Sequence, residues 1–155
     1  MATLGSPVPD PFSPGTLWCL RHSLNAHSRP RGDGLATQVA AGRHLRVLDR
    51  DGPRLRVRLL EDGYPCWLEP QELAPVALPA GLPWLPRLDR VTIAARLDAV
   101  LAFAEGARQR PNHYLWGGTL GPDFDCSGLV QAAYAAAGIW LPLSLIHISE
   151  PTRPY

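Results

Sequence analysis

Across residues 17–68, apolar and polar positions alternate over short stretches; the clearest run sets Leu55, Val57 and Leu59 against Arg54, Arg56 and Arg58. A period of two places the apolar set on one face and the arginines on the other, which predicts a half-buried strand. Arg31-Gly32-Asp33-Gly34, Asp49-Arg50-Asp51-Gly52-Pro53 and Glu61-Asp62-Gly63 break the region with turn residues. Their spacing suits a small antiparallel barrel of about five strands. Pro70, Pro75, Pro79, Pro83 and Pro86 then mark a linker, because each ring removes a donor and fixes φ, leaving no room for a helix or a central strand. Beyond Asp89, read as an N-cap, the period becomes helical: Ile93, Leu97, Val100, Leu101, Ala104 and Ala107 recur until Pro111, predicting one helix that buries one face. A second helix is expected from about 126 to 137, with Gly138 as its C′ residue and Cys126, Val130, Ala133 and Ala137 on one side.

A chain of 155 residues that is 46% hydrophobic can bury one moderate core or two small ones. Seventeen prolines, many in the first ninety residues, favour two small units. The net charge is +1 and the basic residues, all arginine, are scattered. That pattern carries no electrostatic footprint for nucleic acid or anionic lipid, so neither is expected as a partner. Cys19, Cys66 and Cys126 are odd in number and lack CxxC spacing, which argues against a disulfide framework and against zinc. No metal or cofactor is expected. A reducing compartment, the absence of a leader pattern at the start and the lack of an eighteen-residue apolar run together point to the cytoplasm.

The candidate chemistry lies in Tyr114-Leu115-Trp116-Gly117-Gly118 and, six residues on, Asp125-Cys126-Ser127-Gly128, which opens the Ala-rich second helix. A thiol at a helix N-terminus meets the positive end of the macrodipole and unpaired amide hydrogens, both of which favour a thiolate. Ser127 and Gly128 keep the first turn small enough for a substrate carbonyl to approach. The Cys126 amide and the Tyr114 hydroxyl are candidate donors to an oxyanion. Gly117 and Gly118 let the preceding chain turn close by without a Cβ clash. Free cysteine is ordinarily inert packing, and Cys19 and Cys66 are read so. His113 is read as a loop residue, and His22, His27 and His44 as solvent-facing.

These two elements resemble the NlpC/P60 cysteine peptidases, which cut peptidoglycan stem peptides. The upstream barrel is similar to the bacterial SH3 domain of the γ-D-glutamyl-meso-diaminopimelate endopeptidases within that family. Leu35-Ala36-Thr37-Gln38, Gly42-Arg43-His44-Leu45 and Glu61-Asp62-Gly63-Tyr64-Pro65 are the stretches that match. The resemblance implies an α+β fold, a small SH3-like β-barrel followed by the N-terminal helical part of a papain-like domain. It divides the chain into an N-terminal extension (1–16), the barrel (17–75), a Pro-rich linker (76–88), the first part of the catalytic domain (89–142) and a tail (143–155). Cys126 is then the nucleophile, Tyr114 an oxyanion or substrate contact, and Ser127 part of the pocket near the substrate's amino end. Tyr64 walls off the cleft so that only peptides with a free N-terminal L-alanine fit. The implied partner is a stem peptide of the L-Ala-γ-D-Glu-meso-diaminopimelate type.

After Pro142 the family shows Arg-Asp and, much later, a histidine base with a polar orienting residue. Here Leu143-Ser144 follow, and His147 is too near Cys126 to be that base. The stretch from Leu143 to Arg153 resembles an in-frame translation of a transposon adapter. The expectation is therefore a truncated, inactive peptidase whose 126–137 helix rests only on Ile93, Leu97 and Leu101, its covering sheet being absent. The alternative is an SH3-like peptide-binding module with no catalytic role. A papain-like acyltransferase shares the cysteine helix but gives no reason for the barrel.

Overall fold

The computed structural model describes residues 10–142. The reading of 143–155 as an adapter-derived tail, His147 included, falls outside that range, as do residues 1–9 of the N-terminal extension. Seven strands form one antiparallel sheet: β1 (Leu17–Leu20), β2 (Leu24–His27), β3 (Leu35–Val39), β4 (His44–Asp51), β5 (Arg54–Leu59), β6 (Pro65–Leu68) and β7 (Ala77–Pro79), in the order β3-β2-β6-β5-β4-β1-β7. Six of them lie in 17–68, one more than the turn spacing suggested. The β4–β5 hairpin fixes the register by pairing Leu45 with Leu59, Val47 with Val57 and Asp51 with Arg54. Gly52, at φ +58, takes the left-handed position that its two-residue loop requires.

The alternation in β5 holds on its apolar face, since Leu55, Val57 and Leu59 are buried. They pack with Leu20, Val39, Leu45, Val47, Leu68 and Leu73 in one core that also takes in Phe12. Phe12 meets Trp18 edge-on at 5.0 Å. Arg54 departs from the alternation: it is buried, its Nε donating to Glu69 Oε1 at 2.6 Å and its Nη1 to the Arg29 carbonyl at 3.0 Å. Pairing lets a guanidinium sit on an inward position that period alone assigns to solvent. His44 is likewise half-buried, with Nδ1 3.0 Å from Glu61 Oε2, and His27 is half-buried on β2; only His22 is exposed as expected.

The proline-rich stretch holds more structure than expected. Pro70 opens a single-turn helix, α1 (Pro70–Leu73), from the first-turn position where its missing N–H costs nothing. Leu73 anchors that turn in the core. Strand β7 pairs with the free edge of β1, Leu20 opposite Ala77 and Trp18 opposite Pro79, where a proline is tolerated.

The predicted 89–111 helix is two helices, α2 (Arg90–Ala95) and α3 (Leu97–Gln109). Asp89 does cap the first, its carboxylate accepting from the Thr92 N–H at 2.7 Å. The run breaks at Arg96, whose N–H bonds three residues back to the Ile93 carbonyl at 3.0 Å and whose Nη1 donates at 3.0 Å to the Ala137 carbonyl at the end of α4 (Cys126–Ala136). Gly138, at φ +76, follows that cap as predicted. Helix α4 packs on α3, and Phe103 meets Phe124 edge-on at 6.3 Å.

The expectation that α4 rests only on Ile93, Leu97 and Leu101 is overturned. Leu101 is 66% exposed, whereas Gln131 and Ala133 of α4 are buried. The reason is a polar joint with the sheet. Gln131 Nε2 donates to Asp62 Oδ2 at 2.6 Å and to the Leu141 carbonyl at 3.0 Å. Asp62 in turn accepts from Arg43 Nη2 at 2.9 Å, and Arg43 Nε reaches Glu61 at 2.7 Å. The Arg43 guanidinium also lies 4.5 Å over the Trp140 ring.

Candidate functional site

Asp125 organises the head of α4. It is the N-cap residue, with Oδ1 accepting from the Gly128 N–H at 2.7 Å and from the Ser127 hydroxyl at 3.2 Å. Its second oxygen accepts from the Gly117 N–H at 2.8 Å. One carboxylate therefore ties the helix start to the glycine loop, using charge-assisted bonds on both sides. Sequence reasoning gave Asp125 no role beyond its place in the motif; its N-cap chemistry was the available signal.

The glycines make this joint possible. A Cβ on Gly118 would lie 2.5 Å from the Asp123 carbonyl, and one on Gly117, at φ +80, would lie 2.7 Å from the Leu35 carbonyl of β3. A Cβ on Gly128 would collide with the Gly118 carbonyl, which accepts from the Asp125 N–H at 3.2 Å. The small first turn of α4 thus admits the close approach of the glycine loop. Gly128 and Gly118 are both buried.

Cys126, the first residue of α4, is exposed. It opens on a cleft of about 780 Å³ whose walls include Leu101, Ala104, Tyr114, Phe124 and Leu129. Tyr114 lies against Cys126, and its phenol pKa is raised, first by desolvation and then by the charges that Cys126 and Asp125 carry when ionised. Tyr64 is half-buried against the sheet core, and burial raises its pKa most, with further increments from Cys66, Asp62 and Asp125. Cys126, Tyr114 and Ser127 thus meet at the head of α4 beside Asp125, whereas Tyr64 packs on the sheet core and does not line the Cys126 cleft. Among the described residues, no histidine lines this cleft. His113 is exposed, and only its backbone N–H is engaged, with Asp123 Oδ1 at 2.8 Å.

The other thiols are elsewhere. Burial pushes the Cys66 thiol up to about 12, with the Asp62 charge adding to the rise. Cys66 is inert packing in the sheet core, and Cys19 is half-buried on β1.

Two segments match known families. Residues 27–73 match the family model of the bacterial dipeptidyl-peptidase Sh3 domain, and residues 111–147 match that of the NlpC/P60 family. The second match spans both glycine-containing elements and Cys126. No curated protein sequence matches the chain. Among solved structures, NlpC2 from Trichomonas vaginalis is 13% identical, with a TM-score of 0.40 over 83% of this chain and 69% of that one. NlpC1 from the same organism is also 13% identical, with a TM-score of 0.37 over 90% of this chain and 69% of its own.

Proposed function

We propose that the chain carries the nucleophile-bearing part of a cysteine endopeptidase that cuts the γ-D-glutamyl-diaminopimelate bond of stem peptides with a free N-terminal L-alanine. The observation that carries the reading is the exposed Cys126 thiol heading α4, locked to the glycine loop by Asp125 and opening on a cleft flanked by Tyr114. In this reading the sulfur attacks the γ-carbonyl carbon, and the carbonyl electrons move to an oxyanion that the Cys126 N–H and the Tyr114 hydroxyl stabilise. Collapse expels the diaminopimelate amine and leaves a thioester, which water then hydrolyses. Ser127 and Tyr64 flank the end that receives the substrate's amino group. A cytoplasmic role in cell-wall recycling follows from that demand for free amino ends.

Among the described residues, no histidine that would take the thiol proton lines the cleft. Without it, turnover by this chain falls by roughly 10⁴ to 10⁶ relative to a complete site. The test is therefore covalent labelling. L-Ala-γ-D-Glu chloromethyl ketone, which places an electrophilic carbon next to the scissile position, is expected to alkylate Cys126 and to be slowed when its alanine is acetylated. Tyr64→Ala is expected to erase that discrimination, and hydrolysis of the stem peptide itself is expected to be undetectable. Labelling that favours Cys19, or peptide binding that survives loss of the Cys126 cleft, returns the chain to a simple peptide-binding module.

A further inference from the structure

The glycine loop is held on a second side. Strand β3 presents Gln38, whose peptide N–H donates to Thr119 Oγ1 at 3.0 Å while that hydroxyl donates to the Gln38 carbonyl at 2.7 Å. The side-chain Oε1 of Gln38 accepts both the Thr119 N–H at 3.1 Å and the Leu120 N–H at 3.2 Å. Thr37 Oγ1 stands 3.3 Å from Thr119 Oγ1. Because the Thr119 proton already goes to the Gln38 carbonyl, Thr37 is the donor there. Gln38 Nε2 faces Asn25 Oδ1 at 3.4 Å, which orients the amide with its oxygen toward the loop. Thr119 and Thr37 are buried, so these bonds are shielded from water.

The same loop gives its Gly117 N–H to Asp125, which holds Gly128 and the head of α4. One path therefore runs from β3 by hydrogen bonds to Thr119, along the two peptide links back to Gly117, and by the Gly117 N–H to Asp125, one residue before the exposed thiol. We infer that Gln38 is a positioning residue for Cys126: the sheet is the reference from which the glycine loop, and through Asp125 the thiol, is set. This rests on the reading of Cys126 as nucleophile, and the experiment separates the two.

Gln38→Met keeps the side-chain length and removes the acceptor for two amides; Gln38→Glu keeps the acceptor. In the full chain, amide hydrogen exchange at Gly117 and Gly128 is expected to rise at least about tenfold in Gln38→Met and to stay near the parent value in Gln38→Glu, with the β5 amide of Val57 unmoved in both. Labelling of Cys126 by the peptidyl ketone is expected to slow about tenfold in Gln38→Met, while alkylation by iodoacetamide, which demands little orientation, stays within about twofold. Unchanged exchange at Gly117 and Gly128 in Gln38→Met overturns the inference. So does a parallel rise at Val57, which makes Gln38 a stability residue only, or an equal effect in Gln38→Glu. If the parent chain resists the ketone, the nucleophile reading fails while the exchange data still decide the role of Gln38.

Discussion

At the scale of single residues, the site depends on groups whose importance is what they lack or share. Gly128 is buried against the Gly118 carbonyl, and no side chain fits between them. Gly128→Ala is expected to force α4 away from the glycine loop at a cost of about 1–3 kcal/mol. A urea melt of the full chain reads the cost, and exchange at the Gly117 amide reports whether the Asp125 joint opens with it. Asp125 spends one carboxylate on three donors: the Gly117 and Gly128 amides and the Ser127 hydroxyl. The motif was legible in the sequence because Asp-Cys-Ser-Gly at a helix start is a local pattern. The sharing of Asp125 between loop and helix was not, because which of its neighbours it bonds depends on where the loop lies.

At the scale of elements, local signals that act within one turn or one strand were read correctly. The Asp89 cap, the Gly138 stop and the apolar face of β5 all follow from residues that touch in sequence. The readings that failed depend on distant partners. Arg54 is drawn inward by Glu69 and the Arg29 carbonyl, and the run after Asp89 breaks where Arg96 turns to the end of α4. Strand β7 exists because β1 offers an unpaired edge. The sheet carries its own core, every member of which lies between Phe12 and Leu73. A chain of residues 10–80 is accordingly expected to fold alone, with dispersed amide resonances and a cooperative melt. Random-coil dispersion in that piece shows that the sheet needs the helices.

At the scale of the whole molecule, a buried polar joint fastens the helices to the sheet. Arg43 holds Glu61 and Asp62, whose side chains are 6% and 1% exposed, and Asp62 passes the connection to Gln131 of α4. Arg43→Met would leave two buried carboxylates without their cation, an expected loss of about 3–5 kcal/mol. Denaturant melts at neutral pH measure it. The expected pattern is one transition shifted to lower denaturant, since Arg43, Glu61 and Asp62 all belong to the sheet and Asp62 carries the bond to Gln131 of α4. An early loss of the helices with the midpoint of the sheet unchanged shows instead that Arg43 serves only the joint.

The alternating strands of residues 17–68, the apolar face of β5, the caps and the placement of Cys126 at the head of a helix are legible along the chain, because each is set by contacts within a few residues. Folding alone brings Gln38 to Thr119 across 81 positions and buries Gln131 on Asp62. Such pairings leave no periodic trace, since a hydrogen bond between distant segments is specified by packing that only the folded chain supplies.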